Sequence, residues 1–171
     1  MSEVIETERL RLTPITMDHV DLLVELDSDP EVMRYITGGR PTPRDEVAEI
    51  VRGAIGHRGI ARDDDGDFVG WFGLASRGAR EAELGYRLCQ AVWGKGYASE
   101  GVRALIDLGF AERGLDRIWA QTMTVNVQSR RVMEACGMTY VRTFHMEWAE
   151  TIEGTEQGDV EYEIFAGVAS R

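Results

Sequence analysis

The chain has 171 residues, 43% of them hydrophobic and 29% charged, which suits one globular domain spanning 1–171. No run approaches the ~18 consecutive apolar residues of a bilayer span, and Met1 to Thr16 carries neither a basic start nor a secretory hydrophobic stretch, so no membrane partner and a cytoplasmic location are expected. The 19 basic and 30 acidic side chains sum to a net charge of -11, a field that repels phosphate backbones and argues against nucleic acid.

Arg9-Leu10-Arg11-Leu12-Thr13 alternates and predicts a half-buried strand ending near Pro14. Thr16 caps a helix with Val20, Leu23 and Val24 inward, Asp29-Pro30 starts a second, and a third runs from Arg44 to His57. The Asp63–Asp67 segment is a turn, and Phe68–Leu74 and Glu81–Leu88 form antiparallel strands around Gly78. A long amphipathic helix follows from about Ala98 to Glu112 or Arg113, then a strand over Ile118–Met123 and a helix over Val127–Ala135 stopped by Gly137. Two closing strands fit Thr139–Trp148 and Val160–Val168. Cys89 and Cys136 have no paired spacing and the three histidines are scattered, so neither a disulfide framework nor a metal site is readable.

The segment most clearly built for a ligand is Trp93-Gly94-Lys95-Gly96-Tyr97-Ala98, between a strand and the long helix. The first turn of a helix leaves backbone N–H groups unpaired, and glycines let a phosphate oxygen approach them. Lys95 adds a cation there, the one lysine beside 18 arginines. The complete P-loop and dinucleotide fingerprints are absent, so a ligand-free glycine turn is the competing reading.

This segment, with Glu6-Thr7-Glu8-Arg9-Leu10-Arg11-Leu12, Glu83-Leu84-Gly85-Tyr86, the continuation Ser99-Glu100-Gly101, and Asn126 to Met138, resembles the GNAT superfamily of N-acetyltransferases, in particular its RimJ/RimL-like branch. The resemblance covers nearly the whole chain. It implies an α/β (α+β) acyl-CoA N-acyltransferase fold with a mixed, mostly antiparallel sheet of about seven strands, splayed at the cofactor slot and flanked by helices. It also implies acetyl-CoA as cosubstrate, held by Gly94, Lys95, Gly96, Tyr97, Ala98 and Ser99. Leu88, Cys89 and Gln90 then line the pantetheine arm, where a backbone N–H polarises the thioester carbonyl. Asn126 and Ser129 contact the arm from the other side, although Asn126 also sits where a helix cap is wanted. Trp71, Phe72, Trp93 and Trp119 read as core, with Trp93 also placed to pack on the arm.

Acetyl transfer needs a neutral amine and a way to protonate a thiolate. Glu83 is the candidate base, matching a strand carboxylate of the superfamily; by strand parity it looks either into the cleft or out as a solvated edge charge. The tyrosine that many members use as acid is replaced by Met133, which leaves Ser129 as the candidate, or no acid at all. Position 91 is Ala where the superfamily starts its phosphate loop with Arg or Gln. Cys89 lies near the expected thioester, but no motif histidine supports a covalent route, so direct attack in a ternary complex is expected. Tyr35 and Tyr140 are acceptor-side residues by location, and His145 on the penultimate strand either faces the acceptor or, as the stronger reading, is a partly buried histidine with its hydrogen bonds satisfied.

The acceptor is expected to be a protein N-terminal amine or a small amine. Thr143 to Ser170 holds no Lys or Arg and seven carboxylates, Glu147, Glu150, Glu153, Glu156, Asp159, Glu161 and Glu163, whose field would favour a cationic amine or simply form a solvated acidic edge. A non-catalytic acyl-CoA sensor on the same fold is the alternative function, and a homodimer is expected from the resemblance alone.

Overall fold

Leu10 and Leu12 are buried while Arg11 between them is exposed, which sets one face of β2 (Leu10–Pro14) on the core. The computed structural model describes residues 1, 3–148 and 151–167. β1 (Ile5–Glu6) pairs with β2, and Thr16 and His19 cap each other reciprocally at the turn that enters α1 (Val20–Leu26). Asp29 caps α2 (Pro30–Thr37) by accepting from the N–H groups of Glu31 and Val32. The helix predicted to reach His57 stops earlier, as α3 (Arg44–Ala54), and a strand the pattern does not announce follows it, β3 (Arg58–Asp63). Its apolar centre is only Ile60-Ala61, but β2 and β4 (Phe68–Ser76) pair with it on both edges.

The remaining elements are β5 (Glu81–Leu88), α4 (Tyr97–Ala111), β6 (Arg117–Met123), α5 (Val127–Ala135), β7 (Thr139–Phe144) and β8 (Asp159–Phe165). The predicted penultimate strand thus ends at Phe144 rather than Trp148. The last ends at Phe165, and Val168 lies outside the described residues. All eight strands join one sheet in the order β1-β2-β3-β4-β5-β6-β8-β7, with β5 and β6 parallel and every other neighbouring pair antiparallel. The strands beyond the predicted set are β1 and β3.

Each sheet face has its own core. Val102, Leu105 and Ile106 of α4 pack with Phe72, Leu74, Ala82, Leu84 and Leu88 on one side. On the other, α1 and α3 cover Ile60 and Trp71. α4 sits close to the sheet because Gly101 has no side chain: a Cβ there would stand 2.4 Å from the Phe72 ring.

One irregularity positions the site. β4 and β5 pair as far as Gly70↔Leu88, and β6 pairs with β8 as far as Met123↔Asp159, but β5 and β6 pair only from Glu81↔Arg117 to Glu83↔Trp119. Beyond Glu83 and Trp119 the two parallel strands part, and the sheet opens between them.

Candidate active site

A cavity of about 820 Å³ occupies that opening and reaches both sheet faces. Strand alternation divides the β5 side chains between them. Ala82, Leu84, Tyr86 and Leu88 face α4 and α5, whereas Arg87 meets Trp71 and Asp27 on the side of α1. Glu83 and Gly85 share the face of Arg87 by the same alternation, and all three line the cavity.

On the α4 side, Gly94 and Gly96 adopt φ of +73° and +86°, a left-handed backbone that favours glycine. The first intrahelical bond of α4 runs from the Glu100 N–H to the Gly96 carbonyl, so the N–H groups of Tyr97, Ala98 and Ser99 precede the ladder. Gly94, Gly96, Tyr97, Ala98 and Ser99 line the cavity, while Lys95 and Gln90 are exposed beside it and Cys89 falls outside the lining. Arg9 reinforces the loop, an arrangement whose partners lie too far apart in sequence to be read from the motif. Its guanidinium donates to the Lys95 carbonyl at 2.9 Å, stacks on Tyr97 at 4.7 Å and pairs with Glu100 at 2.7 Å. Burial alone would raise the Glu100 carboxyl, but hydrogen bonds from Thr7 and from the Arg9 N–H and guanidinium outweigh it and hold Glu100 below its usual value.

At the end of β5, the Cys89 N–H donates to Val69 on the β4 side, so the Leu88 N–H points by alternation to the opening. Cys89 itself is therefore committed to β4, and burial pushes its thiol up, away from the thiolate a nucleophile needs. Trp93 is not core as expected. It is 36% exposed, lines the cavity, and its indole N–H donates to the Leu88 carbonyl at 3.0 Å. Trp71 and Phe72 are buried as predicted, and Trp119 is half-buried.

Across the opening, Asn126 caps α5 by accepting from the Ser129 N–H and also lines the cavity. Ser129 lines it too, with its hydroxyl 2.9 Å from that of Tyr86. Burial pushes the Tyr86 phenol up to about 12, so it remains a neutral hydroxyl around pH 7. Tyr86 was visible only as part of a motif; its partnership depends on α5 crossing β5. Met133 is buried in the core.

On the other face, Glu83 is 31% exposed and pairs with Arg77 at 2.6 Å. Asp159 is buried, lines the cavity, and accepts from the Trp148 indole at 3.4 Å. Tyr35 lines the cavity, whereas Tyr140 and His145 are exposed and outside its lining. The acidic C-terminal stretch is not one uncompensated field: Arg117 binds Glu161 at 2.7 Å and Glu163 at 2.6 Å, Arg142 also binds Glu161, and Arg34 pairs with Glu153. Glu150 lies outside the described residues.

Residues 9–139 match the profile of the acetyltransferase (GNAT) domain. The chain belongs to the GNAT acetyltransferases. An FsC-acetyl coenzyme A-N(2)-transacetylase of Aspergillus fumigatus is 36% identical over 179 residues, covering 94% of this chain and 75% of the relative. Two solved structures carry the same fold. Spermidine N-acetyltransferase from Vibrio cholerae, in complex with CoA and spermine, superposes with a TM-score of 0.82 at 19% identity, over 96% of this chain and all of that one (100%). RimL, a ribosomal L7/L12 alpha-N-protein acetyltransferase in complex with coenzyme A, does so with a TM-score of 0.78 at 21% identity, over 99% and 100% of the two chains. This GNAT enzyme has, among its described residues, no helix long and apolar enough to cross a membrane and no group of three or more His, Cys, Asp or Glu that could hold a metal.

Proposed function

We propose that this enzyme transfers the acetyl group of acetyl-CoA to a primary amine by direct attack, with both substrates bound at once. The observation that carries the reading is the cavity through the splayed β5 and β6, which joins a glycine-opened helix N-terminus on one face to carboxylates on the other. Acetyl-CoA fits the first half by chemistry: the N–H groups at Gly94, Lys95, Gly96, Tyr97, Ala98 and Ser99 suit a pyrophosphate, and the coenzyme supplies the acetyl thioester. Solved relatives of this fold bind CoA, which supports the same assignment.

The residues divide the remaining work. The Leu88 N–H, directed into the opening, polarises the thioester carbonyl. Glu83 takes one proton from the arriving ammonium, exchanging its Arg77 partner for the amine or acting through water. The nitrogen–carbon bond forms, the carbon–sulfur bond breaks, and the second amine proton reaches the sulfur with Ser129 as hydroxyl donor, held by Tyr86. Asn126 orients the arm while capping α5. No covalent acyl-enzyme is needed, in keeping with the raised Cys89 thiol.

The acceptor is an amine small enough for the cavity or presented at a chain terminus. Relatives named for spermidine, for a protein alpha-N amine and for an N(2) position all fall within that class. Free-thiol release from acetyl-CoA, measured over a panel of polyamines, amino acids, amino acid amides and peptides beginning with Ala, Ser or Met, tests the reading. Amine-dependent release is expected. Tight CoA binding with no release for any amine would leave an acyl-CoA sensor instead.

A further inference from the structure

Trp71, which lines the acceptor half of the cavity, has two guanidiniums beside it, and one of them, Arg87, lines the cavity as well. Arg58 stacks over the Trp71 ring at 4.0 Å and Arg87, its neighbour across the same ring, at 5.7 Å. Among the described residues, one carboxylate is ion-paired to this couple: Asp27, itself buried, meets Arg87 Nη1 at 2.5 Å. Burial above all, with the nearby Arg87 cation second, pulls the Arg58 guanidinium down to about 10. Arg87 also lines the cavity, and its Nε is a buried donor without a hydrogen-bond partner. A buried guanidinium N–H left unpaired is costly, so an oxygen acceptor is what this position lacks.

The order of residues along β5 says where that oxygen would be. Glu83, Gly85 and Arg87 occupy one strand face, at spacings of about 6.6 Å, so the wall runs carboxylate, gap, guanidinium. Such a sequence complements a group with a cation at one end and an oxygen at the other. A polyamine meets it badly at the Arg87 end, where its second ammonium would approach a guanidinium; on the β8 side Glu161 and Glu163 are already paired with arginines, and Asp159 lines the cavity while accepting from the Trp148 indole.

We infer that Arg87 is an acceptor-binding residue that reads a carbonyl or carboxylate oxygen beside the reactive nitrogen, which makes the acceptor an α-amino acyl group rather than a simple alkylamine or polyamine. This rests on the acetyl-transfer reading above and narrows it. Arg87 has a second task, holding the loop after α1 through Asp27, and the two are separable by experiment.

The test compares kcat/KM for alaninamide, alanine, 3-methyl-2-butylamine, which keeps the branched amine but lacks the oxygen, and spermidine, at equal concentrations of neutral amine. The wild-type enzyme is expected to favour alaninamide or alanine over the alkylamine by about 10- to 100-fold, the range of a charge-assisted hydrogen bond. Preference for alaninamide identifies an amide or peptide acceptor, and preference for alanine a free amino acid. Arg87→Lys keeps the charge opposite Asp27 but loses the planar donor fork, and should reduce that preference at least several-fold. The pair Asp27→Asn with Arg87→Gln removes both members of the ion pair together and is read for the same ratio, with thermal melts beside both variants. Equal wild-type turnover of oxygen-bearing and plain amines, or a preference for spermidine, overturns this inference while leaving acetyl transfer standing. A ratio unmoved by either variant, with only the melt lowered, makes Arg87 structural and overturns it too. No thiol release with any amine removes both readings.

Discussion

The two halves of the cavity are built in opposite ways. The half on the α4 face is local: residues 94–99 are contiguous, their backbone N–H groups and two left-handed glycines make the site, and Arg9 and Glu100 brace it. The half on the α1 face is assembled from distant side chains, with Glu83 and Arg87 from β5, Asp27 from the end of α1, Trp71 from β4 and Asp159 from β8. A site made of backbone tolerates change in neighbouring side chains, whereas one made of side-chain pairs is altered by a single replacement. One scaffold can therefore keep its coenzyme while its acceptor changes.

Two substitutions set these halves against each other. Glu83→Gln has the largest expected effect, because it removes the proposed base and leaves the loop at residues 94–99 untouched. A fall in kcat of about 10²- to 10⁴-fold near neutral pH is expected, with CoA affinity by calorimetry within twofold of wild type. An equal loss on Asp159→Asn with Glu83→Gln still active would move the base to β8. Gly96→Val should act on the other half. Its left-handed backbone penalises a β-branched residue by about 1–3 kcal/mol, which corresponds to roughly a 5- to 150-fold loss of CoA affinity if the strain falls on the loop. Turnover at saturating coenzyme should then recover much of its wild-type value. A loss of kcat with unchanged affinity would break the division proposed here.

The same contrast explains what could be read before the structure. The glycine loop, the Asn126 cap and the helices α4 and α5 were legible because backbone chemistry and helical spacing are local properties, and α5 matches its predicted range from Val127 to Ala135. β3 was not, since two apolar residues between arginines make no pattern until β2 and β4 flank them. Trp93 reads as core by composition, yet it is placed at the cavity by one hydrogen bond to the end of β5. Arg87 and Tyr86 were visible letters with unreadable roles, because Asp27 is 60 positions from the first and Ser129 is 43 from the second. The acidic C-terminal stretch stayed open between two readings for the same reason: its countercharges, Arg117 and Arg34, come from elsewhere in the chain.

The smallest expected effect concerns how the backbone-built half is braced. Glu100 is held below its ordinary value of about 4.5 in the folded state, so the folded protein binds fewer protons there than the unfolded chain. Its contribution to stability is therefore complete above the unfolded value and declines as the pH falls through the lowered folded one. Glu161 on β8, where burial raises the carboxyl but bonds from Arg142 and Arg117 outweigh it, acts in the same direction. Glu100→Gln should lower the melting temperature by about 2–6 °C at pH 7. That gap should narrow on acidification below about pH 4.5, because wild-type Glu100 then becomes neutral as well. Melting scans of both proteins from pH 7 to pH 3 measure it, and a gap constant with pH would show that Glu100 braces the loop by shape rather than by charge. CoA affinity should fall with the variant only modestly, since the N–H groups of residues 97–99 remain at the helix start whether or not Arg9 is tied down.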